Sequence, residues 1–247
     1  MTKTDELTSP ASGFRGQVVS YGHWGSPVLV FPSEAGRAWD FENNGMVDAV
    51  RFLLDAGRLK LYCVDSADDA TWSDRSLPLE ERAARHDQYE RWVTEQVVPY
   101  IHDDSGGLNP IATLGCSLGA FHAANIALRH AHVFPRALCL SGSYDPARWH
   151  AWGDRGDASY FHNPTEYVAN LHGDHLDWLR RNLHLTLVVG QGAWEVDPTG
   201  ALPSTRDFAA LLASKGIPHE LDVWGHDVPH DWSSWQRQAA HHLSRMV

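Results

Sequence analysis

The chain has 247 residues, 43% of them hydrophobic, and carries a formal net charge of −11 with its histidines neutral. This length suits one large domain with a sizeable core, so we expect a single domain over residues 1–247. The acidic balance argues against nucleic acid or an anionic membrane as the main partner. The N-terminus lacks an apolar segment, and no later run is long enough to cross a bilayer, so neither a signal peptide nor a membrane span is expected.

The predicted elements alternate between short apolar strands and amphipathic helices. Residues 1–13 are polar and predict a loose arm. Strands are predicted at 16–21, 27–32, 60–65, 111–116, 137–142, 183–190 and 219–224, and helices at 45–56, 89–101, 118–129, 205–215 and 232–246. Residues 144–182 predict an irregular excursion, which is either a cap over a pocket or a plain surface feature. This alternation predicts an α/β fold with a mostly parallel central sheet and helices on both faces.

The three cysteines, Cys63, Cys116 and Cys139, fall in predicted strands or at the end of one. An odd number of cysteines in apolar surroundings is typical of free thiols in a reducing compartment. Together with the expected lack of a signal peptide, this predicts a cytoplasmic protein.

A G-x-S-x-G pattern follows the strand at 111–116 and opens the helix at 118–129. In a nucleophile elbow, a strand turns sharply into a helix and the serine at the apex, here Ser117, is exposed. Glycines at 115 and 119 suit this turn because a side chain there would press against the neighbouring strand or helix. The backbone N–H of Leu118 at the helix start can stabilise a developing oxyanion. The pentad predicts a serine nucleophile.

A serine nucleophile needs a histidine base and a carboxylate, and this type of fold supplies them in the order serine, acid, histidine. The loop after the strand at 183–190 offers Glu195 and Asp197, and the segment after the last strand offers His226 and His230. We favour Glu195 as the acid because Asp197 precedes a proline, which restricts it to an extended conformation suited to a turn. Asp197 remains the alternative.

Three motifs together resemble the putative esterase family of the α/β-hydrolase superfamily. They are the elbow at 115–120, the strand and turn at 141–145, and the sequence His230-Asp231-Trp232 followed by Trp235. That family includes S-formylglutathione hydrolases, feruloyl esterases and mycolyltransferases. The resemblance implies an α/β-hydrolase fold and favours His230 over His226 as the base.

The second oxyanion donor is expected on the loop after the strand at 27–32. The resemblance implies a backbone N–H near Ser33 or Glu34. His226, Asp227 and His230 could together ligate zinc, but the sequence lacks a second ligand motif of suitable spacing, so we expect neither a metal nor a cofactor.

These features predict a serine esterase that acts on a small-molecule ester. Two alternatives stay open. An acyltransferase or thioesterase would use the same triad, and a non-catalytic binding protein could share the fold.

Overall fold

The computed structural model describes residues 2–246, and in this part of the chain eight strands form one mixed sheet. The strands are β1 Thr2–Thr8, β2 Arg15–Tyr21, β3 Ser26–Phe31, β4 Leu59–Val64, β5 Ala112–Cys116, β6 Arg136–Leu140, β7 His184–Val189 and β8 His219–Val223. Their order in the sheet is β1-β2-β4-β3-β5-β6-β7-β8. Strand β2 is antiparallel to both β1 and β4, and the remaining neighbours are parallel.

Helices follow most of the parallel strands and cover both faces of the sheet. They are α1 Asp40–Asn43, α2 Met46–Ala49, α3 Arg51–Asp55, α4 Leu79–Trp92, α5 Val98–Ser105, α6 Leu118–Arg129, α7 Asp157–Phe161, α8 Pro164–Asn170, α9 Gly173–Asn182, α10 Ala201–Lys215 and α11 Trp232–Met246. This is the α/β-hydrolase architecture, as the sequence predicts.

The two faces of the sheet bury separate apolar cores because successive strand residues point in opposite directions. In β3, Leu29 and Phe31 enter the core that contains α6, whereas Val28 and Val30 enter the core that contains α2 and α11. All four side chains are buried, which explains why the strand is apolar without a break. The sheet thus forms a rigid layer whose carboxyl edge can carry a site.

The predicted loose arm at the N-terminus is wrong, because Thr2–Thr8 forms the edge strand β1. It pairs with β2 from Thr2 opposite Tyr21 to Thr8 opposite Arg15. Most of its side chains are exposed, so backbone hydrogen bonds rather than apolar burial hold it in the sheet. A polar edge strand of this kind leaves little apolar pattern to detect.

The helix predicted at 89–101 is part of a longer helical segment. It begins at Leu79, passes through a π-helical turn at Val93–Val97 and ends at Ser105. Pro99, which has no backbone N–H to donate, directly follows the π-helical turn, where the regular α-helical hydrogen-bond pattern is already interrupted. The helix predicted at 45–56 is divided into α2 and α3.

The region 144–182 is not irregular throughout, because it contains α7, α8 and α9. Helices α7 and α8 have only 5 and 7 residues, which is too short for the spacing of apolar residues to predict a helix. The three cysteines are free and buried. Within residues 2–246, no helix is both long enough and apolar enough to cross a bilayer.

Candidate active site

Ser117 lies between β5 and α6, at the carboxyl edge of the sheet. Its backbone is in a strained region, with φ 56° and ψ −121°. A Cβ at Gly115 would lie 1.9 Å from the carbonyl oxygen of Gly119, and one at Gly119 would lie 2.2 Å from that of Pro32. Both glycines are therefore required by close backbone approach, and the geometry is that of a nucleophile elbow.

His230 lies just before α11, within reach of Ser117. Its Nε2 is 2.9 Å from the Ser117 Oγ, although the two residues are 113 positions apart. The backbone N–H of His230 donates to the carbonyl of Ala193 at 2.9 Å, which ties the histidine to the loop after β7. Only 9% of the His230 side chain is exposed, so the imidazole is held rather than free to rotate in solvent.

Glu195 completes the chain of hydrogen bonds. One carboxylate oxygen, Oε2, is 3.2 Å from the His230 Nδ1. The other oxygen, Oε1, accepts from the Ser141 hydroxyl at 2.6 Å and from the backbone N–H of Gly190 at 3.2 Å. The side chain is completely buried. A buried carboxylate needs such partners, because an unpaired charge would be costly to desolvate.

The structure separates Glu195 from the alternative candidates. The Asp197 side chain is exposed, and among residues 2–246 it has no hydrogen bond to His230. His226 is also exposed, and its Nδ1 lies 3.3 Å from the carbonyl of Gln191. In the described part of the chain, the clusters with metal-ligand spacing include none of His226, Asp227 and His230.

The loop after β3 packs directly on the elbow. Gly36 donates its N–H to the Ser33 carbonyl at 3.0 Å, and Ala35 donates its N–H to the Asp68 Oδ2 at 3.1 Å. The N–H groups of Ser33 and Glu34 have no acceptor among residues 2–246. Glu34 also lines the same pocket as Ser117 and Leu118. Both predicted donors on this loop therefore remain available.

A pocket of about 220 Å³ opens at Ser117 and His230. Trp72 and Trp149 form aromatic walls, and Arg75 and Arg148 add positive charge. Trp149 and Arg148 come from the 144–182 region, so this region contributes to the pocket, as a cap would; whether it acts as one stays a prediction. Trp72 and Arg75 were missed by the sequence analysis because they lie in a turn-rich stretch without a motif.

The sequence matches the family described as "Putative esterase" over residues 62–246, which is three quarters of the chain. The chain belongs to this esterase family. No curated protein matches the sequence.

Solved structures of the same fold include members named as esterases and hydrolases. A ferulic acid esterase matches with a TM-score of 0.73 at 17% identity, covering 100% of this chain and 98% of that one. An S-formylglutathione hydrolase from Staphylococcus aureus matches with a TM-score of 0.70 at 15% identity, covering 100% and 96%. MPT51 of Mycobacterium tuberculosis matches with a TM-score of 0.73 at 14% identity, covering 100% and 97%. At these identities, the likeness establishes the fold.

A second polar cluster lies buried beside the pocket in this esterase-family chain. His86, Glu90 and His162 bring ligand-type atoms within 4.8 Å of one another. Both oxygens of Glu90 already accept from the guanidinium of Arg129, at 2.8 and 3.1 Å, and Oε1 also lies 2.9 Å from His130 Nε2. A fixed cation at this carboxylate opposes the binding of a metal cation, so we interpret the cluster as an ion-pair network.

Proposed function

We propose that the protein is a serine hydrolase that cleaves carboxylic esters through an acyl-enzyme on Ser117. The observation that carries this proposal is the unbroken hydrogen-bonded chain from Ser117 through His230 to Glu195, with the carboxylate buried at its end. Serine is a weak nucleophile alone, and this arrangement supplies the base and the orienting acid that it needs.

In the first half of the reaction, the Ser117 Oγ attacks the ester carbonyl while His230 Nε2 accepts the hydroxyl proton. The tetrahedral intermediate places its negative oxygen near the N–H of Leu118 and an N–H of Glu34 or Ser33. When the intermediate collapses, the ester C–O bond breaks and His230 gives its proton to the departing alkoxide. The products of this half are an alcohol and an acyl-serine.

In the second half, His230 accepts a proton from water as the water oxygen attacks the acyl carbonyl. Collapse of the second intermediate releases the carboxylic acid and returns the proton to Ser117. Glu195 holds the Nδ1 proton of His230 and stabilises the imidazolium in both halves. It does so without moving, because Ser141 and Gly190 fix its other oxygen.

Replacement of the nucleophile tests this function. Ser117→Ala should abolish hydrolysis of p-nitrophenyl acetate and labelling by a fluorophosphonate probe, while circular dichroism remains unchanged. Ser214→Ala is the matched control, since this serine is on α10 and its hydroxyl donates to the backbone carbonyl of Leu211. Equal turnover by wild type and Ser117→Ala would refute the proposal, and an unlabelled wild type without turnover would favour the non-catalytic alternative.

The acyl donor could also be a thioester, because the same acyl-enzyme would form with a thiolate as leaving group. The similarity in fold to an S-formylglutathione hydrolase supports this second possibility. A matched pair of acetyl ester and acetyl thioester separates the two by their kcat/KM values. Adding an alcohol acceptor then measures how much acyl group is transferred rather than hydrolysed.

A further inference from the structure

One buried carboxylate outside the triad connects two parts of the candidate active site. Asp68 lies in a 3₁₀ turn at Asp68–Ala70, and its side chain is 1% exposed. Its Oδ1 is 2.9 Å from the Nε2 of His122, and its Oδ2 accepts the backbone N–H of Ala35 at 3.1 Å. Ala35 is on the loop after β3, and His122 is on α6, the helix that begins directly after Ser117.

We propose that Asp68 and His122 are positioning residues that fix the oxyanion hole of this site. This inference rests on the proposed hydrolase function. In this role, Asp68 and His122 hold the loop after β3 at a fixed distance from the start of α6, so that the N–H donors of the two elements point at one oxygen atom.

The direction of the Glu34 N–H on the loop follows from the planarity of the peptide bond. A trans peptide directs its C=O and its N–H to opposite sides, and the Ser33–Glu34 bond is trans. The Ser33 carbonyl accepts from Gly36, so the N–H of Glu34 points away from that turn. The bond from Ala35 to Asp68 fixes the next peptide plane in the same way. Both restraints together leave the Glu34 N–H facing away from its own loop.

The backbone conformation of Ala35 also indicates that this loop is held in place. Its φ is 55°, a left-handed conformation that a residue with a Cβ rarely adopts. Such a conformation persists only where the surroundings hold it, and strained residues concentrate at functional sites. The Asp68 carboxylate restrains Ala35 directly, because it accepts the Ala35 N–H from inside the protein.

His122 connects the start of α6 to the strand that leads into the loop. This residue lies one turn after Leu118, whose N–H is the donor expected from α6. The His122 side chain is 2% exposed and also contacts Phe31, the last residue of β3, with ring centroids 5.8 Å apart. His122 therefore touches the end of the strand that leads into the loop. Displacing it would shift the loop donor relative to the helix donor.

A buried pair of polar side chains such as Asp68 and His122 is a weak source of stability, because an apolar pair of similar volume is often equally stable. The position of this pair between the loop after β3 and the start of α6 is explained by a role in setting the distance between these two elements. A donor must lie 2.7–3.1 Å from the developing oxyanion, so a small displacement costs rate without changing how the ground state binds.

The test compares Asp68→Asn, Asp68→Ala and His122→Gln with wild type. The measurements are kcat and KM for p-nitrophenyl acetate, and the affinity for a trifluoromethyl ketone, which forms an oxyanion on the serine. We expect Asp68→Ala to lower kcat roughly 10- to 100-fold and to weaken ketone binding in parallel, while KM changes less than about threefold. Asp68→Asn should retain more activity, since its amide oxygen can still accept the Ala35 N–H.

The matched control is a similar pair elsewhere in the chain. His242 on α11 is 2% exposed, and its Nε2 lies 3.0 Å from the Asp222 Oδ2 on β8. His242→Gln should lower the melting temperature but leave kcat and ketone affinity as in wild type. The inference is overturned if the Asp68 and His122 variants lose no more kcat than His242→Gln at a comparable loss of melting temperature.

Two further comparisons distinguish failure of the positioning role from a folding defect and from failure of the hydrolase function. If Asp68→Ala does not fold, Asp68→Asn and His122→Gln still decide the question through the ratio of kcat loss to KM change. Wild type and Ser117→Ala are measured in the same assay, so failure of the hydrolase function appears as equal rates in these two. Failure of the positioning role instead appears as a fully active wild type with unaffected Asp68 variants.

Discussion

Ser141 donates a 2.6 Å hydrogen bond to Glu195, the carboxylate that contacts His230. The direction of this bond is set by Trp235, whose indole N–H donates to the Ser141 oxygen at 3.1 Å. An indole N–H can only donate, so the Ser141 proton is left for the Glu195 carboxylate. The Glu195 carboxylate is thus oriented by Ser141, which directly follows β6, and by Trp235 on α11, and all three side chains are buried.

Ser141→Ala should slow the reaction without removing the triad. The loss of a hydrogen bond to a charged group costs about 1.5–3 kcal/mol, which corresponds to a fall in kcat of roughly 10- to 100-fold. KM should change little, because in the proposed mechanism Glu195 orients the base rather than binding the ester. Steady-state kinetics with p-nitrophenyl acetate measure both, and an unchanged kcat would show that Gly190 and His230 suffice to hold the carboxylate.

Glu195→Gln should be far more damaging than Asp197→Asn. The amide keeps the size of the side chain but cannot stabilise the imidazolium, and the corresponding change in serine proteases lowers kcat by about 10⁴. We expect a loss of roughly 10²- to 10⁴-fold for Glu195→Gln and full activity for Asp197→Asn, whose side chain is exposed. A larger loss in Asp197→Asn would assign the acid to the other residue.

The elements around the elbow could be predicted from sequence because their signals are local. The helix from Leu118 to Arg129 and the helix from Trp232 to Met246 have the predicted bounds. The order of serine, acid and histidine predicts Ser117, then Glu195 or Asp197, then His226 or His230, and the family resemblance favours His230. The structure brings Ser117, Glu195 and His230 together, although their roles stay a proposal.

The supporting polar contacts could not be predicted because they join distant residues without a shared motif. Asp68 and His122 are 54 positions apart, as are Ser141 and Glu195. Each residue alone is an ordinary polar side chain near a strand end or in a helix. Their pairing depends on strand order and on helix packing, which act only in the folded chain.

Gly119→Ala should destabilise the protein and distort the elbow. The added Cβ would lie 2.2 Å from the Pro32 carbonyl oxygen and 2.6 Å from that of Phe31, and neither backbone group can move alone. We expect a loss of roughly 3 kcal/mol or more in the free energy of unfolding. Gly200→Ala is the control, since that site is open and only its φ of 65° is unfavourable, costing about 1–2 kcal/mol. Urea unfolding compares the two, and equal losses would contradict the steric explanation.

The stability of the fold should fall as the pH drops below neutral, in part because of His86. This side chain is buried, and desolvation holds its pKa well below its ordinary value of 6.5. The nearby His162, His122 and Arg129 lower this pKa further. In the unfolded chain, His86 binds a proton as the pH falls through about 6.5, whereas in the folded chain it stays neutral. The unfolded state then binds more protons, so acid favours unfolding.

His86→Phe isolates this contribution, because an aromatic ring keeps the packing against Trp72, at 5.0 Å between centroids, without a titrating nitrogen. One proton changes the free energy of unfolding by at most about 1.4 kcal/mol per pH unit. Wild type should therefore lose more stability than His86→Phe between pH 7.5 and about 5.5, as measured by urea unfolding. Glu90 adds a second effect at lower pH. Burial raises the pKa of its carboxyl group, but His130, His162 and Arg129 outweigh burial, so this pKa lies below its ordinary value of 4.5 in the folded state. Below pH 4.5, both proteins should therefore lose further stability, because the unfolded chain binds the Glu90 proton first. Identical pH slopes for the two proteins above pH 5.5 would show that His86 is protonated to the same extent in both states.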